Sequence, residues 1–166
     1  MNKSLSLIIL LFLAKTVLAG TQLTNQNFDW YSENHKYISE LVKSGNKREL
    51  VPVITTLGTI WRHRDGAIGS EIAEIIAEAM TYQPKMMFSW FNKYPEQLEK
   101  YNKRMPSNLF TNYSGSTEFA PRLNKLKSKM EKSLFKFISS EKDPELVASA
   151  ISVLEVVRNS SIRDID

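Results

Sequence analysis

Residues 117–137 read TEFAPRLNKLKSKMEKSLFKF, and this stretch decides the fold class. Leu123, Leu126, Met130, Leu134 and Phe137 recur at spacings of three and four residues, which is the period of one helix face. Arg122, Lys125, Lys129, Lys132 and Lys136 recur at the same spacing along a second stripe, with Lys127 standing off it. Two interleaved stripes of opposite polarity predict a long amphipathic helix, with Thr117 as its cap.

Working outward from this helix, the same period recurs through most of the chain. Asp143-Pro144-Glu145 opens a last helix, with Asp143 as cap and proline at the first position. Leu146, Val147, Ala150, Ile151, Leu154 and Val157 form its expected buried side. On the N-terminal side, Met105–Ser116 is rich in Pro, Ser, Asn and Gly and predicts a long loop. Pro84 and Pro95 mark the starts of two helices, since the first amide of a helix has no internal partner to lose. Ser70 is the expected cap of a helix with Ile72, Ile75, Ile76, Ala79 and Met80 inward. Arg62–Gly66 reads as a polar connection. Leu50, Val53, Ile54, Leu57, Ile60 and Trp61 predict another helix, bent or delayed by Pro52, although the β-branched run Val51–Thr56 also reads as a strand. Trp30, Tyr31, Ile38, Leu41 and Val42 give the first helix of the domain, stopped at Ser44-Gly45.

The segments Gly45-Asn46-Lys47-Arg48-Glu49-Leu50-Val51-Pro52 and Lys142-Asp143-Pro144-Glu145-Leu146-Val147-Ala148 resemble the helix openings of HEAT- and armadillo-type hairpins. That resemblance implies paired helices, yet no fixed repeat period accompanies it, and a solenoid has one. The expectation is an all-α domain of about seven helices, either a compact irregular bundle or a short HEAT-like stack.

The chain begins Met1-Asn2-Lys3, continues with an apolar run from Leu5 to Leu13, and reaches Val17-Leu18-Ala19-Gly20. A cationic start, a short apolar core and small residues before a cleavage point are the parts of a secretory signal peptide. The run is too short for a spanning helix, which needs roughly 20 residues. Thr21 stands where a lipoprotein signal requires cysteine. Residues 1–19 are therefore expected to be removed, leaving 20–166 as one domain in the periplasm or outside the cell. The 166-residue sequence has no cysteine, which excludes disulfides, thiol catalysis and thiolate metal sites.

The net charge of +4 falls to +2 without Lys3 and Lys15, too mild to imply nucleic acid. It is unevenly spread: residues 85–136 carry 11 Lys/Arg against 4 Asp/Glu. No cofactor or metal is expected. His63 and Asp65 have only His35 as further histidine support, and the letters Arg62-His63-Arg64-Asp65 lack every other part of a kinase. Met80, Met86, Met87, Met105 and Met130 read as core filler rather than copper ligands. Among Tyr82, Phe88, Trp90, Phe91, Tyr94 and Tyr101, which are chiefly core, Trp90 is the ring expected at the surface. Glu71, Glu74 and Glu78 share one helix face and are the carboxylates a polysaccharide hydrolase would use. No residue is assigned a catalytic role.

The basic stripe is the sharpest surface feature. Five like charges in a row repel one another, with only Glu131 nearby in sequence to relieve them. Arg122, Lys125, Lys129, Lys132 and Lys136 are the candidate partner-binding residues, and an acidic protein is the expected partner. Binding to an anionic membrane surface is the weaker alternative, because the apolar stripe of the same helix is needed for the core. In size, compartment and class the domain is similar to the exported immunity proteins with which bacteria neutralise toxins, which implies protein binding without catalysis. The alternative is a hydrolase of cell-wall or other polysaccharide.

Overall fold

The computed structural model describes residues 26–63, 66–112 and 117–164. The expected signal segment, and Arg64 and Asp65 of the expected Arg62–Gly66 connection, lie outside them. Seven helices account for nearly all of the described chain.

Helix α1 (26–44) ends where Gly45 adopts φ +79, and the Gly45 N–H closes the last turn onto the Leu41 carbonyl at 3.2 Å. Glycine takes this left-handed conformation without a Cβ penalty, so the stop falls where the local sequence puts it. Helix α2 (Lys47–His63) runs straight through the segment that also read as a strand, with Pro52 inside it. Leu50, Val53, Ile54, Leu57, Ile60 and Trp61 are all buried, which only the helical period achieves. Asn46 and Glu49, at the start of α2, have the spacing of a capping box, with asparagine where Ser or Thr is usual. The two side chains bond to each other, and Glu49 also receives the Tyr37 hydroxyl at 2.8 Å.

Helix α3 (Gly66–Tyr82) begins before Ser70, which lies within the helix and is not its cap. Helices α4 (Pro84–Lys93) and α5 (Pro95–Leu109) start at their prolines as expected. The expected loop starts later than Met105, because α5 continues through Pro106 to Leu109; residues 113–116 of that loop lie outside the described residues. An internal proline costs about 3 kcal/mol, but Met105, Leu109 and Phe110 are all buried, at roughly 1.5–3 kcal/mol each, and burial wins. Strand β1 (Thr111–Asn112) then pairs in parallel with β2 (Arg163–Asp164). The polar tail is thereby fastened to the body, and Ser160 within it is buried.

Helix α6 (Phe119–Ser140) is not capped by Thr117. Glu118 holds the cap position with helical dihedrals (φ −80, ψ −15) and makes no side-chain cap bond. A side-chain cap needs an extended residue there, and Pro121 already removes one of the amides a cap would satisfy. Helix α7 (Pro144–Asn159) is capped as expected: Asp143 accepts from the Glu145 and Leu146 amides at 3.0 and 3.3 Å. Ile151 departs from expectation, being 41% exposed, while Val153 takes a buried position.

Helix α3 packs against α2, α4, α5 and α6, while α7 packs against α4, α5 and α6. Most of these partners are distant in sequence, whereas solenoid repeats touch only their neighbours. The domain is a compact irregular helical bundle around one core. Among the described residues no helix is long and apolar enough to cross a membrane.

Candidate functional site

The five stripe residues occupy one exposed face of α6, opposite Leu123, Met130, Leu134 and Phe137, which are buried against α3, α4 and α7. The structure divides them. Arg122 is tied back to α3 by an ion pair with Glu74, and its guanidinium lies 5.2 Å from the Phe119 ring centroid. Lys129 reaches the Tyr82 hydroxyl at 3.3 Å and lies 6.0 Å from that ring centroid. Lys125, Lys132 and Lys136 form no ion pair among the described residues. Charge relief on the stripe thus comes from Glu74 across a helix interface, and Glu131 pairs with none of its members. Phe135, 60% exposed, emerges three residues after Lys132 and one before Lys136.

Lys127 stands off the stripe for a structural reason. Its ammonium donates to the Arg158 and Ser160 carbonyls at the end of α7. Those are carbonyls that a helix end leaves unpaired, and a cation also suits the negative end of the helix dipole.

The aromatic segment belongs to the core, and Trp90 corrects the expectation. It is 8% exposed and lies against Gly58 of α2, where only the absence of a Cβ admits the indole. Phe88, Phe91 and Tyr101 are fully buried, and the Tyr101 hydroxyl donates to the Ala73 carbonyl at 2.9 Å. Burial, and then the charge on Glu74, push the ionisation of Tyr101 far upward. Tyr82 and Tyr94 are partly exposed, but cations lie over their ring faces, Lys129 on the first and Arg62 at 4.3 Å from the centroid of the second. A flat sugar-stacking platform is therefore not formed from this segment. Met80, Met87, Met105 and Met130 are buried filler.

Glu71, Glu74 and Glu78 line one wall of an open groove of about 630 Å³ between α1 and α3. Glu78 pairs with Lys43 at 3.1 Å and accepts from the Ser39 hydroxyl at 2.6 Å, while Glu74 holds Arg122. Tyr31, on the α1 wall, donates to the Glu71 carbonyl at 3.3 Å. Burial, followed by the charges on Glu71, Glu74 and Glu78, pushes its pKa up to about 12. The groove therefore presents mixed charge and a neutral phenol.

Among the described residues no three His, Asp or Glu side chains gather as a metal site. In the Asn-x-Ser sequences that begin at Asn112 and Asn159, Asn112 is buried and Asn159 is exposed. Comparison with protein-family models, with curated proteins and with solved structures finds no match.

The ties of Arg122 to Glu74 and of Lys127 to Ser160 were not visible in the sequence. The partners lie far apart along the chain, and no local spacing signals them. Exposure of Phe135 was legible in principle, since it falls outside the apolar stripe of its helix.

Proposed function

We propose that this protein is an exported, non-enzymatic binding protein that engages an acidic protein partner through the solvent face of α6. One observation carries the reading: Lys125, Lys132 and Lys136 lie exposed on a single rigid helix face without ion-pair partners among the described residues. Unrelieved like charges on one face cost a few tenths of a kcal/mol per neighbouring pair and do nothing for the fold. They do raise the rate at which an oppositely charged surface is found and oriented. A cysteine-free bundle in the periplasm or medium, acting by occlusion, fits the analogy with toxin-neutralising immunity proteins. Export itself rests on the N-terminal sequence, and N-terminal sequencing of the mature protein should begin at Gly20.

The test reverses charges that the fold does not use. Lys132→Glu with Lys136→Glu should leave the melting temperature nearly unchanged, because exposed charges contribute little. Capture of partner from an envelope extract should fall sharply, and added salt should reproduce the loss with the unaltered protein. Unchanged capture by the reversed variant would show that the stripe is only a solvated face. A second reading, hydrolysis of a polysaccharide, is favoured by the groove beside Glu71, Glu74 and Glu78. Loss of sugar-polymer turnover in Glu74→Gln, with the lysine reversals tolerated, would select it.

A further inference from the structure

The exposed face of α6 carries a residue that neither folding nor charge explains. Phe135 is 60% exposed, more than any other large hydrophobic side chain among the described residues. Phenylalanine is a poorer helix former than alanine, lysine or glutamate, so a solvent-facing helix position gains nothing from it. Single exposed apolar residues are ordinary on protein surfaces, and exposure by itself means little. What distinguishes Phe135 is its setting: Lys132, three residues before it, is its neighbour on the helix surface beside Glu131, Lys136 follows it along the chain, and neither lysine forms an ion pair among the described residues. An aromatic ring surrounded by charge is the composition of a docking hot spot, in which the ring fills a pocket and the rim excludes water.

We propose that Phe135 is the apolar anchor of this surface, and that the partner offers an apolar socket rimmed by carboxylates. The inference rests on the reading of α6 as a protein-docking face. Charge complementarity selects the carboxylates, and the exposed ring selects the socket. A lipid surface fits less well. A helix lying in a bilayer interface buries a broad apolar face, whereas the apolar stripe of α6 is taken up by the core and leaves one ring outside.

Two synthetic peptides of equal length and equal negative charge test the idea, one alternating Glu with Leu and the other alternating Glu with Ser. Fluorescence anisotropy at low salt should give about tenfold tighter binding of the Leu peptide to the unaltered protein, the scale of one anchored ring. Phe135→Ala should abolish that preference while leaving binding of the Ser peptide unchanged. Its circular dichroism and melting temperature should be unchanged or slightly improved. Lys132→Glu with Lys136→Glu should weaken both peptides.

Failure separates cleanly. If the charge reversal leaves both peptides bound as before, or if the unaltered protein binds neither, the docking face itself is wrong and the anchor falls with it. If the reversal weakens binding but Phe135→Ala keeps the Leu preference, the face stands and the anchor does not. Two further results overturn the proposal: Phe135-dependent binding to phosphatidylglycerol vesicles without any peptide preference, and Phe135-dependent self-association in sedimentation.

Discussion

Gly58→Ala offers the sharpest test of how the bundle is assembled, because two physical terms give it opposite signs. Gly58 lies inside α2, where alanine is the better helix former by about 1 kcal/mol. Helix propensity alone therefore predicts stabilisation. A Cβ at this position, however, falls 2.1 Å from Trp90 Cε2, 2.2 Å from Cζ2 and 2.6 Å from Nε1. Each distance is well below ordinary van der Waals contact. The indole has little room to retreat, since it is 8% exposed and held at 5.1 and 5.0 Å from the Phe91 and Tyr94 ring centroids. Overpacking a filled core costs about 1–3 kcal/mol, more where rigid groups collide. The clash should exceed the propensity gain and leave a net loss of about 1–2 kcal/mol. Urea melts should show a lower midpoint with an unchanged slope, and the melting temperature should fall by roughly 3–8 °C. A double-mutant cycle isolates the cause. In a Trp90→Leu background the collision is gone, so Gly58→Ala should become neutral or stabilising. Gly58→Ala as stable as the original protein would refute the close α2–α4 approach and with it the burial of Trp90.

Three further outcomes follow from the same structure. Ile76→Asp places an unpaired charge at a fully buried site; its cost of several kcal/mol against a total of roughly 5–15 should abolish cooperative thermal unfolding followed by circular dichroism. Asp143→Ala removes the acceptor for the Glu145 and Leu146 amides and should cost about 1 kcal/mol in a urea melt, with Pro144 still marking the start of α7. The third concerns Tyr31, whose folded-state pKa of about 12 stands above the ordinary phenol value near 10. A raised pKa contributes stability that is complete below about pH 10 and is lost as pH rises through about 12. Alkaline unfolding should therefore steepen across that window, and Tyr31→Phe should flatten it; an identical pH profile in the variant would remove Tyr31 from the account.

Much of the fold was legible because its signals are local. The stop at Gly45, the starts at Pro84 and Pro95, and the Asp143-Pro144 cap each depend on a few consecutive residues and their own backbone. The buried faces of α2, α3 and α6 follow from the 3.6-residue period, which needs no knowledge of what lies opposite. At Pro106 and Ile151 the surroundings, not the local rules, set the outcome. Pro106 reads as a breaker, yet the burial of Met105, Leu109 and Phe110 carries the helix past it. Ile151 fits the apolar side of α7 by spacing, but the bundle leaves that angle of the helix uncovered.

The candidate surface divides in the same way. Sequence alone determined that α6 exists, that one of its faces is basic, and that Phe135 falls outside its apolar stripe, because spacing on a helix is a geometric property of the chain itself. Only the tertiary structure decided which of those charges are available. Arg122 and Lys129 are drawn to Glu74 and Tyr82 of α3, and Lys127 to the end of α7, while Lys125, Lys132 and Lys136 are left facing solvent. The same is true of Trp90, which is hidden because a glycine 32 positions earlier leaves room for an indole. Burial and charge pairing are properties of what lies across an interface, and nothing in a helix's own period specifies its neighbour.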